Sequence, residues 1–159
     1  MMTSRIEIKP HLQEYVTGKF NNLANGPVRF PDSLDLYHTI YDLLRRRPAD
    51  APPIDRGNLE IILPVRTNGK KVEYYNYLGQ RSAAIIEKKI ETMLWAELHD
   101  QLDEQKHRYG VEYIDTVHHF MCKYCIESIS EDALLKNYYR WRHKVRQRTK
   151  RRDYKKSAA

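Results

Sequence analysis

Residues 58–78 read NLEIILPVRTNGKKVEYYNYL, two strand-like runs on either side of Asn68-Gly69. Asn-Gly is the preferred filling of a two-residue hairpin turn, because both central positions take positive φ. The spacing therefore predicts strands over 59–65 and 71–78 in a fixed register. Val65 would face Val72, Leu63 Tyr74, Ile61 Asn76 and Leu59 Leu78, making one mostly apolar face that belongs on the core. Ile62, Tyr75 and Tyr77 would lie on the other face among charges. Pro64 would fall where its missing N–H points away from the partner, as an edge strand requires.

Upstream, KPHLQEYVTGKF (9–20) predicts a short helix with Pro10 at its first position and Leu12, Tyr15, Val16 and Phe20 on one face. The breaker NNLANGP (21–27) follows, and Val28-Arg29-Phe30 reads as a short strand or extended entry. Pro31 ends it, and Asp32 or Ser33 is expected to cap a second helix whose stripe is Leu36, Ile40, Leu43 and Leu44. Arg45, Arg46 and Arg47 suit the negative end of that helix. PADAPPIDRG (48–57) is read as an exposed loop, since its prolines lack donors and restrict their neighbours. Downstream of the hairpin, Ile86, Ile90, Met93, Leu94, Leu98 and Leu102 predict a long helix over 82–108, with Gly110 available to end it.

Composition limits the class. With 41% hydrophobic and 11% aromatic residues in 159, the chain can bury one sizeable core. No apolar run approaches the roughly 20 residues that cross a bilayer, and MMTSRIEIKPHLQEY lacks the uncharged stretch of a secretory signal, so a cytoplasmic protein is expected. The two cysteines, Cys122 and Cys125, are too close in sequence to staple distant parts of the chain. Charge is concentrated at one end. From Lys136 to Lys156 there are 11 Lys and Arg against one acid, Asp153, giving +10 in a chain of net +7, so the remainder sums to −3. A mildly acidic body with one dense basic segment suits a polyanionic partner, nucleic acid before an anionic membrane surface.

That basic segment is periodic. Ile114, Val117, Phe120 and Met121 predict the inner stripe of a helix ending near Tyr124; CIESIS (125–130) follows, with Ile126 and Ile129 as plugs and Ser130 as a helix cap. In ISEDALLKNYYRWRHKVRQR (129–148), Leu134, Tyr138, Trp141 and Val145 recur at spacings of four, three and four, so all four are expected to face the body. Lys136, Arg140, His143, Lys144 and Gln147 fall opposite, with Asn137 between.

Residues 112–148 resemble the helix-turn-helix of bacterial and phage DNA-binding regulators, in which the second helix enters the major groove. Where those proteins favour a glycine early in the turn this chain has Cys125, and its connection is longer. The resemblance implies base contact by Lys136, Asn137, Arg140 and Lys144, with His143 and Gln147 on the same face. Arg146, Arg148, Lys150, Arg151 and Arg152 would meet phosphates, and Tyr139 would touch a phosphate or stack. It also suggests a homodimer reading two half-sites.

Competing motifs are weaker. HHFMCKYC (118–125) places His118 one turn from Cys122 and Cys122 two residues from Cys125, a spacing used by zinc, but without a second ligand pair; thiols at least half buried are the expectation. Asp32, Asp35 and Asp42, or Glu87 and Glu91, are too ordinary a spacing to carry a nuclease, and no Gly-rich phosphate loop or nucleophile elbow occurs. No cofactor is implied.

The reading is a mainly α, α+β protein: helices around a hairpin within 1–110, a helix-turn-helix-like region at 111–148 and a basic disordered tail at 149–159. Its expected role is a DNA-binding transcriptional regulator or accessory factor of a bacterium or mobile element, and not an enzyme. The alternatives are an RNA-binding accessory protein, or an adaptor using the tyrosine-rich hairpin face.

Overall fold

A computed structural model describes residues 1–21 and 25–157, so Asn22 to Ala24 of the NNLANGP breaker lie outside the described residues. The order is β1 (Thr3–Ile6), α1 (Pro10–Phe20), α2 (Asp35–Leu43), β2 (Arg45–Arg46), β3 (Leu59–Ile62), β4 (Tyr75–Tyr77), α3 (Gln80–Tyr109), α4 (Tyr113–Tyr124) and α5 (Glu131–Ser157). The class is α+β and mainly α.

The helices follow their apolar periodicity. Leu12, Tyr15 and Val16 of α1 are buried, as are Leu36 and Ile40 of α2 and Ile86, Ile90, Leu94, Leu98 and Leu102 of α3. Gly110 ends α3 in the left-handed conformation at φ 67°, which frees the cap to bond the last carbonyls. At Gly18, α1 and α4 approach so closely that an added Cβ would stand 2.7 Å from the Tyr124 carbonyl oxygen. One cluster of buried side chains runs from Ile6 and Ile61 through α1 and α3 to Phe120, Leu134 and Tyr138, so α4 and the start of α5 share the core of the preceding elements.

The hairpin does not form. β3 pairs antiparallel with β1, Thr3 opposite Ile62 and Ile6 opposite Leu59, and Val28 bridges in parallel to Ile61 on the other edge. With both edges of β3 occupied, residues 71–78 have no ladder left to join there. β4 pairs instead with β2, Arg45 opposite Tyr77 and Arg46 opposite Tyr75, across an irregular register. The intervening loop docks on the end of α2. The Lys70 ammonium reaches the carbonyls of Asp42 at 2.8 Å and Leu44 at 2.9 Å, and the Lys70 N–H donates to the Tyr41 hydroxyl. Unsatisfied carbonyls at a helix end attract a cation, so Lys70 takes the place expected of Arg45 to Arg47, which are drawn into β2 and its flank. Gly69 alone of the turn pair has positive φ, at 106°.

Other local expectations also give way. α2 begins at Asp35 behind Leu34 with no side-chain cap, so neither Asp32 nor Ser33 caps it. The inner face of α4 is Thr116, Val117, Phe120 and Tyr124, leaving Ile114 exposed. α5 continues to Ser157, through residues expected to be structureless, over a sequence without Gly or Pro to stop it. Residues 158 and 159 lie outside the described residues.

Candidate nucleic-acid interface

The site begins at the connection between α4 and α5. Cys125 holds the left-handed conformation at φ 51°, with its N–H bonded to the Cys122 carbonyl and the Ile126 N–H to Met121. Ile126 is buried below, and the Glu14 carboxylate of α1 accepts from the Ser128 hydroxyl and N–H. Ser130 Oγ then accepts the Ala133 N–H at 3.1 Å, capping α5 as its position predicts.

From that cap, α5 is anchored for about three turns. Leu134 and Tyr138 are fully buried, and the Tyr138 hydroxyl donates to Asp103 of α3. Burial, with that carboxylate, pushes the phenol well above its ordinary range, so it remains a neutral donor. The Trp141 ring lies 4.6 Å from His99, and Arg142 Nη1 donates to the Tyr113 hydroxyl at 3.1 Å. Beyond Arg142 the described polar contacts stay within the helix, His143 with Gln147 and the Thr149 hydroxyl to the Val145 carbonyl.

The four-residue stripe therefore holds for only half its length. Leu134 and Tyr138 face the body, but Trp141 and Val145 are each 39% exposed. The body ends beneath Arg142, and the following residues to Ser157 would extend roughly 22 Å at 1.5 Å per residue.

The candidate contact residues separate accordingly. Arg140, His143, Lys144, Arg146, Gln147, Arg148, Lys150, Arg151 and Arg152 are exposed, and no described acid pairs with any of the cations among them. Lys136 is exposed but bonded to Asp132 at 2.9 Å within its own helix. Asn137 is occupied: its side-chain oxygen accepts the His99 Nε2–H at 3.2 Å, so it joins α5 to α3 rather than facing outward. Tyr139 is 49% exposed and packs edge-on to Tyr113.

A second cationic group was not expected from the sequence. The guanidinium groups of Arg45 and Arg47 lie 5.0 and 5.2 Å from the Tyr77 ring, and that of Arg46 lies 5.3 Å from Tyr75. Arg47 is paired with Asp55, whereas Arg45 and Arg46 are exposed. The run of three arginines is visible in the sequence, but its meeting with Tyr75 and Tyr77 depends on the pairing of β2 with β4.

His118, Cys122 and Cys125, the zinc-spaced residues, lie together on the surface. Both cysteines are exposed, contrary to the expectation of thiols at least half buried, because the buried face of α4 is turned one residue away. Among the described residues no group of three or more His, Cys, Asp or Glu is arranged to hold a metal ion. Among the described residues no helix is long and apolar enough to cross a membrane.

No protein-family model, curated protein or solved structure significantly matches the chain.

Proposed function

We propose that the chain binds duplex DNA through α5, as a regulator or accessory factor acting in the cytoplasm of a bacterium or on behalf of a mobile element. One observation carries this reading. A helix fixed at its start by Leu134 and Tyr138 leaves the body after Arg142, and its cations Lys144, Arg146, Arg148, Lys150, Arg151 and Arg152 are unpaired by any described acid.

An α-helix fits the major groove, and successive residues are turned by about 100° around it. Lys136, Arg140, His143, Lys144 and Gln147 then make a central face, with Arg146 on one flank and Arg148 on the other. In a groove the central face meets base edges and the flanks meet phosphates of the two strands. The body, at net −3 outside residues 136–156, is itself repelled by DNA and orients the helix toward it. A helix-turn-helix-like docking, with α4 bracing α5, is the arrangement this implies, and a homodimer would present two such helices.

The test is selection from a random duplex library by the intact chain, with binding to the selected and random sequences measured across salt concentrations. Recovery of a preferred sequence, with affinity falling steeply in salt, supports the reading. No binding to any duplex at low salt ends it.

A second reading, RNA as the ligand, is favoured by the Arg45 to Arg47 and Tyr75, Tyr77 face. Cations interleaved with aromatic rings suit a strand whose bases are unstacked. Preference for single-stranded or structured RNA over duplex DNA, abolished by Tyr77→Ala and Arg46→Ala, would select it. The adaptor reading would use Tyr75 and Tyr77 on β4 in place of a hairpin face, and loss of a protein partner on changing both, without nucleic-acid binding, would select it.

A further inference from the structure

The end of α4 carries an arrangement that the nucleic-acid reading does not use. Cys122 Sγ lies 3.6 Å from His118 Nε2, and His118 Nδ1 lies 2.7 Å from Glu131 Oε1. His118 and Cys122 are one turn apart on α4, while Glu131 arrives from the first turn of α5, across the connection. The order is thiol, imidazole, carboxylate, a nucleophile beside a base that a third group orients.

Each group has a defined part. The Glu131 carboxylate accepts the His118 Nδ1–H, which leaves the Nε2 lone pair facing the sulfur. The imidazole can then take the thiol proton, and the carboxylate stabilises the resulting imidazolium. The last turn of α4 is the negative pole of the helix and opposes a thiolate, so the part of the imidazole is to accept the thiol proton as the sulfur attacks. Cys125, in its left-handed turn, follows at the end of α4 with its Sγ 3.8 Å from the Cys122 carbonyl oxygen. Both sulfurs are exposed.

We propose that Cys122 and Cys125 form a thiol–disulfide exchange site whose substrate class is a small, solvent-borne disulfide such as glutathione disulfide. The Cys122 thiolate attacks one sulfur of the substrate, forming a mixed disulfide and expelling one thiolate, which takes a proton from the imidazolium or solvent. The Cys125 thiol, losing its proton to solvent, attacks the Cys122 sulfur and expels the second thiolate, which takes a proton from solvent. One substrate disulfide is reduced to two thiols, and the Cys122–Cys125 dithiol is oxidised by the same two electrons. Glu131 is a positioning residue, acting only through His118.

The test uses the reduced full-length chain with an aromatic disulfide reagent for rates and glutathione disulfide for products. In single-cysteine variants Cys122 should react about tenfold faster than Cys125, and His118→Ala should remove most of that advantage. His118 is exposed, so its replacement leaves the core in place, which circular dichroism verifies. Glu131→Ala should slow Cys122 less than His118→Ala does and add nothing in the double variant, a non-additivity that a general loosening of α5 would not produce. Mass analysis after glutathione disulfide should find an internal disulfide in the unaltered chain and a glutathione adduct in Cys125→Ser. Equal rates with and without His118 in folded protein, or a glutathione adduct persisting in the unaltered chain, would overturn the proposal.

Discussion

The imidazole of His99 on α3 and the indole of Trp141 on α5 lie with ring centroids 4.6 Å apart and planes 31° from parallel. This contact is near the end of the attachment between α5 and the body. It divides the helix into a half whose side chains serve stability and a half whose side chains are available to a partner.

The division predicts unequal costs along one apolar stripe. Tyr138→Ala empties a fully buried site and should cost about 3–5 kcal/mol. Val145→Ala, at an exposed side chain beyond the attachment of α5, should stay within about 0.5 kcal/mol. Denaturant unfolding of the two variants checks this, and equal losses would mean that α5 is held along its whole stripe.

A pH dependence follows from His99. Burial lowers its affinity for a proton below the ordinary value of 6.5, against the opposing hydrogen bond to Asn137 and the carboxylates of Asp103 and Asp100. The unfolded chain therefore binds more protons as pH falls through 6.5 toward the folded value, and stability declines across that window. His11, lowered by burial and Lys9 against Glu91, Glu14 and Glu87, acts in the same direction. The denaturation midpoint should drop as the pH falls below 6.5, and His99→Gln should flatten the slope without abolishing it.

At the turn pair, glycine should matter and asparagine should not. Gly69 has φ 106°, and a Cβ there would strike the Tyr41 hydroxyl that receives the Lys70 N–H. Gly69→Ala should cost about 1–3 kcal/mol, whereas Asn68→Ala, at an exposed residue without positive φ, should change stability by less than about 0.5 kcal/mol. A large effect at Asn68 would indicate that a two-residue hairpin turn forms after all.

On DNA, the variants of α5 should fall into three kinds. Arg140→Ala should change the selected sequence and weaken binding to the original site by about 1–3 kcal/mol. Truncation after Arg148 should weaken all sequences alike and flatten the salt dependence by about 0.9 in slope for each phosphate no longer neutralised. Asn137→Ala should lower stability through His99 and leave the selected sequence unchanged. Parallel selections with the three proteins decide it.

The helices were legible because their information is local. Ile86, Ile90, Leu94, Leu98 and Leu102 mark one face of α3 by spacing alone, and Gly110 and Ser130 have the chemistry of the positions they occupy. Strand pairing is not local. Ile6 and Ile8, alternating at the amino terminus, carried a weak signal for β1, but nothing nearby in sequence identifies Leu59–Ile62 as its partner. Asn68-Gly69 offered a short-range pairing that gave way to β1 on one edge of β3 and Val28 on the other.

Residue types and short spacings suffice to specify a mainly helical α+β chain with its positive charge gathered on one helix, α5. The packing of distant elements sets where that helix leaves the body, turns Asn137 inward to His99, and lets Glu131 complete a chain of contacts through His118 to Cys122. The reason is physical: periodicity specifies which residues share a face, but the extent of burial along that face depends on where the other elements end.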